Sequence, residues 1–420
     1  MKRFLFFGTI FIIAFVLVLE IGIRLFQISL NGQAAQAASY FEKTKIDGKP
    51  VLKTENAWLR PENGIGDGMW EEDFLEEKPL DEFRIIRLGG SFMGGFLAGS
   101  LDRTLRDLTP MGGGRFEVVN AAGAGFNSLQ VLDVAKEVVR YHPDLILVAT
   151  GNNEFLVDGI NRFHPQQSRL GTHIRSYGLF RRVVQVLKER IQTQEEMLDF
   201  SLDGEPVVAK WRQSRIHVPD DAAKRTANFH FQENLEALAG LCNEWRVAAA
   251  YLVLPVNERY PPNFFNPTRE CGDFIQCQRM LLSSYQFLAC GEHAAALNGF
   301  RKAYGERSPE AALRFIEAVE SEMAGDPDRA GGLYIEACDM DESPVRINSD
   351  FRGIVDRIGR ENKIPVLDLH AAFKDTARSR GKAFNDFLFQ DYCHPNPMGL
   401  EPAVGAVMGY LFKMGVLEQP

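Results

Sequence analysis

Four short clusters hold the residues best equipped for chemistry. Gly89-Gly90-Ser91-Phe92-Met93-Gly94 sets a serine on a tight glycine turn at the end of a β-rich run. From there its hydroxyl can act as a nucleophile, and the glycines let backbone N–H groups face a ligand. Asn120-Ala121-Ala122-Gly123-Ala124-Gly125 and Gly151-Asn152-Asn153-Glu154 close the next two such runs. Glycine offers an unobstructed backbone N–H and asparagine a neutral amide; neither brings charge or competes as a nucleophile, so both suit an oxyanion hole. Taken singly, each cluster also reads as a turn or an asparagine cap. The fourth, Asp391-Tyr392-Cys393-His394-Pro395-Asn396-Pro397, precedes a helical period from about Met398 to Met414. Asn396 suits the cap of that helix and Pro397 its first turn, so His394 would stand on the rigid loop entering it, with a carboxylate three residues upstream on the same loop.

The elements that must position these clusters are short apolar runs alternating with helical stretches. FRIIRLGG from Phe83, FEVVNAAG from Phe116 and LILVATGN from Leu145 are followed by RVAAAYLVLP from Arg246 and KIPVLDLH from Lys363. The alternation predicts an α/β fold: a flavodoxin-like doubly wound parallel sheet of about five strands with helices on both faces. Such a sheet binds its ligands beyond the carboxyl ends of the strands, where the polar clusters fall. Met93 stands where the elbow of an α/β-hydrolase requires glycine, and no G-x-G-x-x-G or GK[ST] follows the first strand.

The order of the clusters, one at each of three successive strand ends and one before the last helix, resembles the SGNH (GDSL-type) hydrolase superfamily over about residues 83 to 415, apart from a helical insertion. Ser91 matches that family's nucleophile, Gly125 the second-block glycine, Asn153 the third-block asparagine, and Asp391 and His394 the final D-x-x-H. The first block reads GGSF in place of GDSL, and Glu154 replaces the usual aspartate after the asparagine. Membrane-anchored bacterial members with tetratricopeptide insertions are the most similar kind. The resemblance implies acyl transfer without a cofactor. His394 would take the proton of Ser91, Asp391 would orient His394, and Ser91 N–H, Gly125 N–H and the Asn153 amide would receive the oxyanion. The implied substrate is an ester, an acetylated carbohydrate or a lipid, and the implied activity is carboxylic ester hydrolysis. An O-acyltransferase of an envelope polysaccharide and a non-catalytic scaffold are the competing readings.

The rest of the 420-residue chain sets limits. A net charge of −9 argues against a nucleic-acid partner, which needs a basic face. Phe4 to Ile23 follows Lys2 and Arg3 and would span about 30 Å as a helix at about 1.5 Å per residue, so residues 1–26 are expected to be a transmembrane anchor with the body extracytoplasmic. A cleaved signal peptide ending at Ala35-Gln36-Ala37 is the rival. Residues 27–80 are expected to be a stalk and loop-rich lead-in, and 81–277 with 346–420 the hydrolase domain. Between these parts, 278–345 is expected to be a helical insertion that shapes access to the site and offers a surface to a protein partner. Within it Ala296, Phe300 and Ala303 lie 34 residues before Ala330, Tyr334 and Ala337, a spacing similar to a tetratricopeptide repeat. Of six cysteines none forms a zinc-type pair, so no metal is expected. Cys271 and Cys277, in the stretch NPTRECGDFIQC, are expected to form a disulfide outside the cytoplasm, with Cys393 an unpaired packing residue.

Overall fold

Five apolar runs pair in parallel at the centre of the computed structural model, which describes residues 40–155 and 219–417 apart from 47–48, 55–68, 71, 107, 112, 220, 264–273, 306–308 and 343. In chain order the first elements are β1 (Phe41–Ile46), β2 (Lys49–Thr54), β3 (Asp73–Leu75), β4 (Glu82–Gly89), a π-helical turn Phe92–Leu97, α1 (Ala98–Arg106), β5 (Arg115–Asn120), α2 (Ser128–Val138) and β6 (Leu145–Ala149). After the segment 156–218 come α3 (Asp221–Trp245), β7 (Ala248–Val253), α4 (Phe274–Ala289), α5 (His293–Tyr304), α6 (Glu310–Met323) and α7 (Pro327–Asp339). The chain closes with α8 (Ser349–Asn362), β8 (Val366–Asp368), α9 (Leu369–Ser379) and α10 (Pro397–Lys413).

The sheet order is β5-β4-β6-β7-β8, all parallel, with Gly89 opposite Ala149 where β4 and β6 end side by side. This is the flavodoxin-like order expected from the alternating runs. Its topological switch point lies between β4 and β6, the two strands that deliver Ser91 and Asn153. Helices α2, α3 and α8 pack together in one layer, and α1, α9 and α10 in the other. Between the layers, β4 buries Ile85, Ile86 and Leu88 completely, and β6 is buried along its whole length. Strand β4 also buries Arg84 and Arg87. Arg84 is satisfied by Glu117 and by the carbonyls of Tyr141 and Leu75, the pairing a buried guanidinium requires.

Two expectations for the flanking regions meet different outcomes. The lead-in expected to be loop-rich contains a three-stranded antiparallel sheet, β1-β2-β3, whose Phe41, Leu52 and Phe74 join the main core. Short strands with only one buried face carry too few apolar residues to stand out from loop composition. The insertion is helical: α4 pairs with α5 and α6 with α7, around a separate core that includes Ala296, Phe300, Ala303, Ala330, Tyr334 and Ala337. Its first helix starts at Phe274, slightly before the expected 278. Residues 1–39, with the expected anchor, lie outside the described residues, and among the described residues no helix is long and apolar enough to cross a membrane. Cys277 is disulfide-bonded, whereas Cys271 lies outside the described residues; Cys393 is buried.

Candidate active site

Ser91 leaves β4 through two glycines. Gly89 adopts φ 157°, and a Cβ there would fall 2.2 Å from the Ala149 carbonyl oxygen, so only glycine lets β4 and β6 finish in register. A Cβ on Gly90 would come 2.7 Å from the Asn153 amide nitrogen. The missing side chain is what allows Asn153 to lie against the turn that carries Ser91. Ser91 itself caps the π-helical turn in helical geometry (φ −55°, ψ −36°). Gly94 and Gly95 in that turn pack under the Trp70 ring, where a Cβ would come 2.2 Å and 2.9 Å from it. The approach of Trp70 to this turn is not legible in the sequence, although the glycine pair is the kind of signal that marks a close approach.

The loop Asp391–Pro397 reaches Ser91 from the other end of the chain. Asn396 accepts hydrogen bonds from the N–H groups of Met398 (3.0 Å) and Gly399 (3.2 Å), and Pro397 opens α10, as the sequence pattern implied. Asp391 then folds back on its own loop: its Oδ1 accepts from the N–H groups of Cys393 (2.9 Å) and His394 (2.8 Å). Its Oδ2 lies 2.7 Å from His394 Nδ1. With Nδ1–H donating to that carboxylate, Nε2 is left as the acceptor for the Ser91 hydroxyl, at 2.7 Å. Ser91, His394 and Asp391, up to 303 residues apart in sequence, thus form a continuous hydrogen-bonded chain.

The π-helical turn adds a residue that sequence reasoning missed. A π-turn closes i to i+5, so Phe96 comes round to the side of the turn that Ser91 occupies. There its ring stacks on the His394 imidazole, with centroids 4.5 Å apart and planes inclined by 29°. An aromatic face in that position favours the imidazolium form.

Gly125 takes φ 73° in the turn Gly123–Phe126, which is closed by a 3.2 Å hydrogen bond from Phe126 N–H to the Gly123 carbonyl. That left-handed position is the reason for glycine at this point in the second cluster. The Asn153 amide donates to the carbonyl of Phe126 (2.9 Å), tying the third cluster to the second. Asn152 serves the scaffold instead, accepting from Ile347 N–H at 2.8 Å. Glu154 is buried and accepts from Ser128 N–H (2.9 Å), Ser128 Oγ (2.8 Å) and Thr150 Oγ1 (3.3 Å). It pins the segment bearing Asn153 to the start of α2. Burial pushes its pKa up to about 7 against those hydrogen bonds.

The charges in the triad follow from the same geometry. Burial opposes ionisation of Asp391, but the hydrogen bond and charge of His394 and the two backbone donors outweigh it and hold the carboxyl below its ordinary range. For His394, burial pulls the pKa down; the neighbouring Cys393 and the hydrogen-bonded Asp391 win, so it lies above the ordinary histidine value. Asp391, Cys393 and His394 also bring donor atoms within 4.8 Å of one another, a set able to meet a metal ion. Two of its three members are already engaged in the triad.

No protein-family model matches the chain, and no curated protein does. Among solved structures it is similar to a GDSL-like lipase from Bacteroides thetaiotaomicron (10% identity, TM-score 0.33, covering 79% of this chain and 89% of the other). It is also similar to an acetylxylan esterase from Geobacillus stearothermophilus (11%, 0.38, 80% and 97%) and a putative acylhydrolase from Bacteroides fragilis (10%, 0.33, 81% and 91%).

Proposed function

We propose that this protein is a serine ester hydrolase working through a covalent acyl-enzyme. The observation that carries the reading is the unbroken relay from Ser91 Oγ to His394 Nε2 and from His394 Nδ1 to Asp391 Oδ2, both 2.7 Å. A serine hydroxyl is a weak nucleophile until an adjacent base accepts its proton. Here Ser91 Oγ attacks the ester carbonyl while its proton passes to His394 Nε2, and ionised Asp391 stabilises the imidazolium that results. Ser91 N–H, Gly125 N–H and the Asn153 amide receive the charge on the carbonyl oxygen as the tetrahedral intermediate forms. His394 returns the proton to the departing alcohol, leaving an acyl ester on Ser91; water, deprotonated by the same imidazole, releases the acid.

The substrate class in this reading is an acetylated carbohydrate or an acyl lipid outside the cytoplasm. Phe4–Ile23 would hold the enzyme to the membrane, and the paired helices of 278–345 would be tetratricopeptide-like. Labelling of the purified protein by a fluorophosphonate, with Ser91→Ala as control, tests the nucleophile. Turnover of acetylated sugars and graded acyl esters, with and without a sugar acceptor, tests hydrolysis against acyl transfer. A protein that neither labels nor turns over any ester would overturn the proposal in favour of a scaffold, and acylated acceptor as the main product would make it a transferase.

A further inference from the structure

We infer that Asn257 is a positioning residue for the acid–base loop and that through it the helical insertion braces the triad from behind. The inference deepens the proposed hydrolase reading and rests on it. The segment that leaves β7 is buried almost continuously, with Leu254, Val256, Asn257, Glu258, Arg259 and Tyr260 all inside. Asn257, 1% exposed, cannot meet a substrate. Its backbone N–H donates to the carbonyl of Tyr392 (3.1 Å), and its side-chain amide donates to the carbonyl of Asp391 (3.1 Å). The same amide nitrogen donates to the hydroxyl of Tyr285 on α4 (2.7 Å), and the Asn257 carbonyl accepts from Arg346 (2.8 Å).

The amide is oriented for its donors: its Oδ1 has no hydrogen-bond partner among the described residues, a cost borne in a buried site. Rotated by half a turn, it would set that oxygen against the Asp391 carbonyl. Two residues on, Arg259 binds Glu322 on α6, the Leu288 carbonyl on α4 (3.0 Å) and Asp386 just before the acid–base loop (2.9 Å). Insertion, strand segment and catalytic loop are thereby one hydrogen-bonded block. A carboxylate orienter displaced by even about 1 Å can cost on the order of a hundredfold in rate, so the backbone of Asp391 has to be held as firmly as its side chain.

The test compares Asn257→Asp, Asn257→Ala and Tyr285→Phe in the full chain. Asn257→Asp keeps the shape and the backbone bond to Tyr392 but loses both side-chain donations. It should lower kcat and the fluorophosphonate labelling rate by about tenfold to a hundredfold with KM nearly unchanged. The far-downfield proton resonance of the His394–Asp391 hydrogen bond should broaden or move upfield in the same variant. Tyr285→Phe removes only the tie to α4 and should lower kcat and the labelling rate by a smaller factor of about threefold to tenfold; wild-type values there would remove the insertion from the brace. If Asn257→Asp lowers the melting temperature yet keeps wild-type labelling, kcat and proton resonance, Asn257 is structural only and the inference falls. Should Asn257→Ala fail to fold, the isosteric Asp variant and Tyr285→Phe still decide it. Persistent labelling of Ser91→Ala would instead strike the hydrolase reading, independently of Asn257.

Discussion

The two halves of the proposed triad are positioned by opposite means. On the nucleophile side, position is set by atoms that are missing: Gly89, Gly90, Gly94 and Gly95 let β6, Asn153 and Trp70 approach to distances no Cβ would permit. On the other side, it is set by bonds that are made: Asp391 to its own backbone and Asn257 to the loop carbonyls. The first half should therefore break when atoms are added, the second when donors are removed. Steric positioning is stiff because overlap rises steeply with approach, whereas each hydrogen bond contributes only about 0.5–1.5 kcal/mol net.

Substitutions can sharpen or break that contrast. The largest effect belongs to the point where the halves meet. Ser91→Ala should abolish fluorophosphonate labelling and lower kcat on the order of 10⁶-fold, with the melting temperature unchanged; adding His394→Ala should make it scarcely worse, because triad members act as a unit. Asn153→Ala, removing one oxyanion donor, should cost roughly 10² to 10³ in kcat with little change in KM. Gly90→Ala is the sharper probe, since it leaves every donor in place and only adds a methyl group against the Asn153 amide. We expect a kcat loss approaching that of Asn153→Ala, and wild-type kinetics would end the claim that steric exclusion sets this half.

The acid–base half should answer to pH. The proposed mechanism needs neutral His394, whose pKa is raised, so the acidic limb of kcat/KM should lie above the ordinary histidine value of about 6.5. Asp391→Asn should move that limb downward as well as lowering the plateau. The linkage runs the other way for stability. A raised histidine pKa contributes stability that is fully present below the unfolded value and is lost as pH rises through the folded one. Denaturation midpoints should thus decline over the range in which activity climbs. Phe96→Leu should give a smaller downward shift of the limb and a severalfold fall in kcat, because an aromatic face over an imidazolium is worth only about 0.5–2 kcal/mol. Smallest of all for the chemistry, Asn396→Ala should cost about 1 kcal/mol in a denaturant titration by uncapping α10, with an unchanged pH profile.

Much of this was legible in the chain. Periodicity disclosed the strands and their order of appearance, and glycine and asparagine at strand ends disclosed the site, because those residue types answer local backbone demands. Ser91, His394 and Asp391 each sat in a cluster that alone read equally well as a turn or a cap, and only the resemblance of the four clusters in order singled them out together. The β1-β2-β3 sheet was missed for the same reason in reverse, since its strands are too short and too one-sided to leave a periodic trace.

Sequence alone determined the residue types of the candidate clusters and the helical character of the insertion, each cluster and each helix being written in residues close together along the chain. Only the tertiary structure decided which groups support the triad. Phe96 reaches His394 because a turn wound as a π-helix rather than an α-helix, Glu154 anchors Asn153 through Ser128, and Asn257 grips a loop 134 residues away. Each of these contacts depends on backbone separations that no local pattern encodes. The energy differences that select them are small and are settled by the packing of the whole sheet and its two helical layers.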